Sequence, residues 1–467
     1  MKGYNLWSYH PYRPLLTDVG DIYICRIAPG TDCIHFEWLA ETEKSYEIFY
    51  RKRNEEMFIL SGTVTTAGTY AEWDICDLDD VTDYEFYVQS GAEKSRVRLA
   101  RTGASVGIVV NYLHPDDEAY SFSGHYLCSP SLVRHPDGYL LASMDLFAGN
   151  HPQNLTLIYR SDDDGATWHY VSELMPCFWG KMFIHKGELY MLSVSTEYGD
   201  LLIGKSTDGG RTFGAPVTLL RGANGKDGSV GVHKNPQNVL VYNGRIYETL
   251  EWGSWANTAY YHAAMVMSCA VDDDLLVPEN WSFSEPVKYD PNWEGMAVGD
   301  VKGTIEGTLC VAPDGKLYNV MRYCITNGKP AYGMALAYLV NTDDPDAPLT
   351  FSHVVEMPTN NTKFTIQYDP VSCKYYTILN RVDDEVRKNR RNLMSFMSGT
   401  DMKHWDLVCD LLDCRHLDME KVGFQYVDWM FEGDDVLWLC RTAFNGAHNY
   451  HDANYQTFHR IENFRTI

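Results

Sequence analysis

Charged and amide side chains recur at nearly one point of a repeated sequence unit. Asp145 stands seven residues past Gly138, Glu251 seven past Gly244, Arg322 seven past Gly315 and Arg441 seven past Asp434. A further unit has Asn380 at that place with Arg381 beside it, and another has Val194 with Glu197 close behind. Buried singly in a core, such groups would be costly. Gathered where equivalent strand ends converge, they would form one polar bowl. Arg322, Arg381 and Arg441 would then focus positive potential there, and their forked donors suit a carboxylate, a sulfate or a uronic acid.

The carboxylates supply the second half of a plausible chemistry. Glycosidic cleavage commonly needs one protonated acid and a second carboxylate as base or nucleophile. Asp145, Glu197, Glu251, Glu306 and Asp428 all lie beside strands of the repeated units. Glu251 is the first choice for nucleophile or base, because nearby arginines would favour its ionised form; Asp145 or Glu306 is then the acid. Loops add substrate contacts. The segment 441–455 gathers His448, Tyr450 and His451 with Asn445, Asn449, Asp452 and Asn454. His233, Lys234 and Gln237 precede the third unit, while Trp252 and Trp255 follow Glu251 as platforms for sugar C–H faces. His448 and His451 have no clear third ligand, so no metal is expected. No cofactor is expected either, since no glycine-rich phosphate loop opens a βα unit.

These residues need a scaffold that repeats. Short runs of four to eight residues punctuated by Gly, Asp, Asn and Pro dominate the chain, so the fold class is all-β. SLVRHPDGYLLASMDLF is a strand, a tight turn and a strand, and the unit recurs in six hairpins between residues 131 and 442. That spacing suits four-stranded propeller blades with some long loops. VGIVVNYL, near 105–112, is apolar enough to complete the closing blade.

Two further segments, SDDDGATW and STDGGRTF, place Ser161, Asp163, Gly165, Thr167 and Trp168, and Ser206, Asp208, Gly210, Thr212 and Phe213, at equal spacing. They resemble the Asp boxes, or BNR repeats, of the sialidase superfamily. That resemblance implies a six-bladed β-propeller at 103–467, with structural boxes lying away from the active centre. SGTDMKHW at 398–405 resembles a degraded third copy. It also implies an arginine cluster that holds a substrate carboxylate and a nucleophilic tyrosine, for which Tyr450, Tyr260 and Tyr323 are candidates. The Phe/Tyr-Arg-Ile-Pro segment that carries the family's first arginine is missing here. Residues 19–102 differ from the rest: Ile34, Phe36 and Trp38 alternate, as do Tyr46, Ile48 and Tyr50, and Tyr84, Phe86 and Val88. With Leu78 six residues before Tyr84, this stretch resembles a fibronectin type III β-sandwich. Residues 1–18 form a separate N-terminal segment.

Composition narrows the partners. Over 467 residues, Lys+Arg 39 against Asp+Glu 63 gives a net charge of −24, which disfavours nucleic acid and anionic membrane surfaces. No apolar run reaches the length of a membrane span. Twelve cysteines without a Cys-x-x-Cys pair read as reduced thiols in a cytoplasmic protein. The expectation is a glycoside hydrolase removing a terminal, acidic sugar from an oligosaccharide or polysaccharide. The alternatives are a lyase acting on uronate-containing glycan, with His448 or His233 as base, and a non-catalytic glycan-binding propeller.

Overall fold

A computed structural model describes residues 6–9, 20–224, 227–386 and 388–467. Most of the expected N-terminal segment at 1–18 lies outside them. Within 6–9, Trp7 and Tyr9 are buried, and Ser8 bridges to Leu174.

The described chain is almost entirely β, in antiparallel sheets. Two small sheets occupy the first hundred residues. One pairs Ile24–Pro29, Ile34–Leu39 and Tyr70–Ile75; the other is built on Ser45–Lys52 and Asp83–Ser90. The period-two alternation of the sequence becomes the core between them. Ile34, Phe36, Trp38, Ile48, Phe86 and Val88 are all fully buried, each of the aliphatic and Phe side chains contributing about 1.5–3 kcal/mol. The Tyr84 hydroxyl accepts the Asp79 N–H at 2.9 Å.

Cys33 and Cys76 form a disulfide across this region. A stable disulfide belongs with an oxidising compartment, and it overturns the cytoplasmic, all-reduced expectation. The other ten cysteines are free, and seven of them are buried.

Six further sheets follow in chain order. Sheet A runs Tyr126–Arg134, Leu140–Phe147, Thr156–Ser161 and His169–Leu174, and sheet B from Phe178–His185 to Val217–Leu220. In sheet C, Gly231–His233 and Leu240–Tyr242 both pair with Arg245–Gly253, which continues to His262–Ala270 and Trp281–Phe283. Sheet D spans Val298–Val311 to Thr350–Glu356, and sheet E spans Thr365–Asp369 to Asp406–Asp413. Sheet F holds Gly423–Glu432, Asp435–Ala443 and Tyr455–Ile461, and its fourth strand is Ile108–Tyr112 from far upstream. The last sheet is thereby tied to the segment that precedes the first. The first strand of sheet A packs against the first strands of sheets B and F, and that of sheet D against that of sheet E. This is an all-β, propeller- or sandwich-like architecture.

The two Ser-x-Asp-x-Gly-x-Thr turns are built alike. Asp163 accepts Ser161 Oγ at 2.8 Å, Thr167 N at 2.8 Å and Thr167 Oγ1 at 2.6 Å; Asp208 repeats the set with Ser206 and Thr212. Gly165 and Gly210 take φ of 94° and 89°, a region that favours glycine. Trp168 and Phe213 are wholly buried while both carboxylates are exposed. The 398–405 segment differs: Asp401 accepts the Lys403 and His404 backbone N–H groups and the His404 ring.

Candidate functional site

Four first strands carry a β-bulge at the same end. The register breaks between Cys128 and Ser131, Phe178 and Lys181, Ile305 and Gly307, and Gln425 and Asp428. Each break holds a non-glycine residue in left-handed backbone: Ser129 (φ 33°), Trp179 (50°), Glu306 (56°) and Tyr426 (52°). Such residues are uncommon, and bulges re-aim the side chains they carry. Trp179, Glu306 and Tyr426 all line a cavity of about 580 Å³, with Cys128, Phe147, Glu197, Tyr198, His233, Trp255, Arg441 and His451.

The second strands explain how the bulges are held. Asp145 accepts the Trp179 N–H at 2.6 Å and Thr156 Oγ1 at 2.5 Å. Glu251 Oε1 accepts the Gly307 N–H at 3.2 Å, and its Oε2 lies 2.5 Å from His233 Nδ1. Asn380 donates to Phe424 O at 2.8 Å, and Arg441 donates to Cys128 Sγ at 3.0 Å. In each case a side chain on the second strand of one sheet braces the bulged strand of the next. Gly307 is tightly surrounded, since a Cβ there would fall 2.1 Å from Asn319 Oδ1.

At the cavity's centre the Tyr426 hydroxyl donates to Glu306 Oε1 at 2.6 Å, and Arg322 Nη1 holds Glu306 Oε2 at 2.5 Å. Burial pushes the Glu306 carboxyl up, but Arg322 and then His233 outweigh it and keep it below its ordinary value. Burial, followed by the Glu306 charge, pushes the Tyr426 phenol up. Tyr426 therefore holds its proton until a reaction moves it.

Two more arginines flank the pair. Arg441 donates to His451 O at 2.6 Å, and its guanidinium lies 5.1 Å from the Phe147 ring and 5.3 Å from the Tyr426 ring. Arg391 is buried, donates to Asn361 O at 3.3 Å, and lies 5.9 Å from the Tyr450 ring. Its Nε and Nη1 atoms are buried without a hydrogen-bond partner. Burial, aided by Arg322 and Arg441 and opposed by Tyr426, pushes its guanidinium down to about 10. Among the described residues, neither Arg391 nor Arg441 forms an ion pair.

The sequence-derived residues divide sharply. Glu306, Arg322, Arg441, His451, His233 and Glu197 gather at or against the cavity. Burial, then Arg441, pushes His451 down to about 4. Asp145 and Glu251 are wholly buried braces rather than groups facing a substrate. Burial raises Asp145 to about 7. Arg381 points away: it pairs with Asp410 at 3.0 Å and Asp383 at 3.7 Å. The place expected for it is taken by Arg391. Lys234 is fully buried against Trp179 O and Glu248, and burial lowers its ammonium. Asp428 is buried with Lys181 at 2.5 Å. Trp252 packs into the apolar core, leaving Trp255, 47% exposed, at the cavity. His448 is exposed, stacked on Tyr126 and paired with Asp452 at 2.8 Å. Tyr450 faces Arg390 and Arg391 beside the site. Tyr260 lies by Lys288, and Tyr323 bonds Tyr289 at 2.7 Å. Neither Tyr260 nor Tyr323 lines this cavity.

Tyr426, Trp179 and Arg391 escaped the sequence reading. The bulge residues lie seven to nine residues before the turn glycines Gly138, Gly187, Gly315 and Gly433, so counting backward from each turn would have found them.

No protein-family model matches the chain, and no curated protein matches it. Solved structures do. A leech intramolecular trans-sialidase complexed with 2,7-anhydro-Neu5Ac superposes with a TM-score of 0.50 at 10% identity, covering 95% of this chain and 96% of that one. An α-L-arabinofuranosidase from Fusarium graminearum with an iminosugar inhibitor gives 0.50 at 13% identity, over 77% and 98%. An ulvan lyase gives 0.45 at 11%, over 94% and 95%. The chain shares a β-rich fold with that trans-sialidase and that α-L-arabinofuranosidase.

Proposed function

We propose that the six sheets are the blades of a sialidase-like propeller at 103–467, that residues 19–102 are a fibronectin type III-like companion, and that the chain is a glycoside hydrolase removing a terminal acidic sugar from a glycan. The observation that carries this reading is the Tyr426–Glu306 pair in a cavity that Arg441 also lines, with Arg322 bonded to Glu306 from behind and Arg391 buried near Tyr426. A tyrosine is a known alternative to the carboxylate nucleophile in glycosidases. Attack by Tyr426 on the anomeric carbon forms a carbon–oxygen bond as the phenolic proton passes to Glu306. The bond to the leaving sugar breaks, and water later reverses the attachment. Two displacements at one carbon retain its configuration.

Arg441 lines the cavity, Arg322 stands behind Glu306 and Arg391 lies near Tyr426, and such a concentration of guanidinium groups in an acidic protein favours an anionic substrate. Arg391 and Arg441, free of carboxylate partners among the described residues, suit a substrate carboxylate.

The test is turnover on 4-methylumbelliferyl glycosides of N-acetylneuraminic, glucuronic and galacturonic acids, with arabinofuranoside and rhamnoside as neutral controls. The expected result is cleavage of an acidic glycoside with retention, and a loss of about ten- to a hundredfold in kcat/KM for Arg441→Ala. Cleavage confined to neutral glycosides defeats the reading. An unsaturated, ultraviolet-absorbing product from a uronate polymer assigns the arginines to elimination instead.

A further inference from the structure

His233 is fixed in the cavity wall by a buried carboxylate. Its Nδ1 lies 2.5 Å from Glu251 Oε2, while Glu251 Oε1 takes the N–H of Gly307, the residue after Glu306. One carboxylate thus sets the position of His233 and of the strand that carries Glu306. With Nδ1 committed to Glu251, Nε2 is the nitrogen left to serve the cavity that His233 lines. The Trp179 ring packs edge-on at 4.2 Å, and the Tyr198 and His262 rings lie at 5.9 and 4.7 Å. Burial, then His233 and Arg322, push His262 well down, so it stays neutral; its Nε2 meets the Tyr198 hydroxyl at 3.0 Å. The charged groups near His233 include Glu251 on its own sheet, Glu306 on the next, Arg322 near His262, the adjacent buried Lys234, and Glu197 and Arg441 in the same cavity lining.

The Tyr426–Glu306 pair accounts for attack but not for the departing oxygen, which needs a proton. Glu306 is held ionised by Arg322 and must receive the phenolic proton, so it cannot also be the acid. Asp145 is sealed beneath Trp179. Glu197, the cavity's other carboxylate, accepts from Gln153 at 3.1 Å and is the rival acid that the Glu197→Gln variant separates from His233.

We propose that His233, oriented by Glu251, is the acid and base of the reaction, an inference that rests on the glycosidase reading. In the first step the imidazolium gives its Nε2 proton to the leaving oxygen as the glycosidic bond breaks. The Tyr426 oxygen bonds the anomeric carbon, and its own proton goes to Glu306. In the second step neutral Nε2 takes a proton from water, the hydroxide oxygen bonds the carbon, and Tyr426 recovers its proton from Glu306. The net change is hydrolysis, with every group restored. Glu251 is a positioning residue: it fixes the ring and stabilises the imidazolium in a site shielded from water.

The experiment uses matched methyl and 4-nitrophenyl glycosides of whichever acidic sugar is cleaved. A nitrophenolate leaves without a proton, whereas a methoxide does not. For His233→Ala, the rate on the methyl glycoside should fall by about 10²–10⁴-fold, while the first-turnover release of nitrophenolate falls less than about tenfold. Glu251→Gln loosens the contact that orients the ring and should show the same aglycone dependence, with the methyl-glycoside rate falling by more than about tenfold and the first-turnover release of nitrophenolate little changed. His233→Gln, with a polar head in the same wall, guards against a packing artefact, and thermal melting confirms folding. Equal losses on both aglycones, or the same aglycone dependence appearing in Glu197→Gln instead, overturn the role of His233. Failure of the wild-type protein to cleave any acidic glycoside overturns the glycosidase reading and this role with it.

Discussion

Arg391 makes the site both possible and expensive to fold. Its guanidinium is buried, has only Asn361 O as a hydrogen-bond partner among the described residues, and sits near Arg322 and Arg441. Burial foremost, with those two cations, lowers it to about 10 from an ordinary value of roughly 12.5. For a base held below its unfolded value, the charged form is disfavoured by folding, and the full penalty is present at every pH below about 10. At 1.36 kcal/mol per tenfold, the penalty is about 3 kcal/mol. Arg391→Met keeps most of the side-chain length and removes the charge. It should stabilise the protein by about 1–3 kcal/mol at pH 7, the lower end allowing for the lost bond to Asn361. Urea unfolding at pH 7 reads the change as a shifted midpoint at constant slope. Thermal melting with added glucuronate or N-acetylneuraminate reads the other half: the wild type should gain stability with ligand, and the variant much less. A variant less stable than wild type by more than about 1 kcal/mol, with an unchanged ligand response, would refute the reasoning and make Arg391 an ordinary structural cation.

Other outcomes follow from the same geometry. Tyr426→Phe removes the nucleophilic oxygen and one bond to buried Glu306, and should abolish retention and lower kcat by at least about 10³-fold; near-normal turnover, measured with the acidic glycoside, excludes nucleophilic attack by Tyr426. Asp163→Ala or Asp208→Ala should lower stability by about 1 kcal/mol and leave kcat/KM unchanged, because each carboxylate closes an exposed turn remote from the cavity. Thr167 hydrogen bonds hold the Asp163 carboxyl below its ordinary value, as the Thr212 bonds do for Asp208 against the effect of burial. Their contribution should therefore persist above the ordinary carboxylate range and fade as pH falls through the lowered values, a trend that urea midpoints across acid pH would expose. Reducing Cys33–Cys76, 43 residues apart in sequence and flanking the paired Ile34 and Ile75 of the first sheet, should destabilise that sheet by up to about 4 kcal/mol; melting curves with and without dithiothreitol decide it.

The hairpin units, their turn glycines and the apolar alternation of the first hundred residues were legible because strand periodicity and turn chemistry are local. The closing strand was legible for the same reason: Ile108–Tyr112 is a short apolar run at the right distance from the first hairpin. Arg381 shows where local reading stopped. Asn380 occupies the repeated position and points inward, bonding Arg391 O at 3.2 Å. One residue further, strand alternation turns Arg381 to the opposite face and into Asp410. Arg391 arrives from the loop after that strand, so no offset from the turn announces it. Tyr426 and Trp179 were missed for another reason: nothing in their side-chain chemistry signals a bulge, and only their distance before the turn glycines marks them. Cys33 stands just before Ile34–Leu39 and Cys76 just after Tyr70–Ile75, and only the register that sets Ile34 opposite Ile75 brings them together.

The repeated polar position thus has a different meaning from the one its spacing suggests. Asp145, Glu251, Asn380 and Arg441 stand at one place on the second strand of four sheets, and each reaches the bulged strand or neighbouring segment of the next sheet. A bulge leaves backbone groups without ladder partners, and a buried orphan costs about 1–3 kcal/mol. A polar side chain from the adjacent sheet satisfies the orphan N–H in the two cases where it is a carboxylate. The side chains presented to the cavity are those of the bulge residues, whose left-handed backbone turns Trp179, Glu306 and Tyr426 into it. Selection on such a frame acts on two linked positions at once: a brace lost from one sheet releases the reactive side chain of its neighbour. Asp145→Asn should accordingly displace Trp179 rather than remove an acid, because the amide can still accept the Trp179 N–H but only with the weaker bond of a neutral group. The consequence is a higher KM for the sugar with little change in the pH dependence of kcat. A lost pH limb would instead return Asp145 to the role of acid.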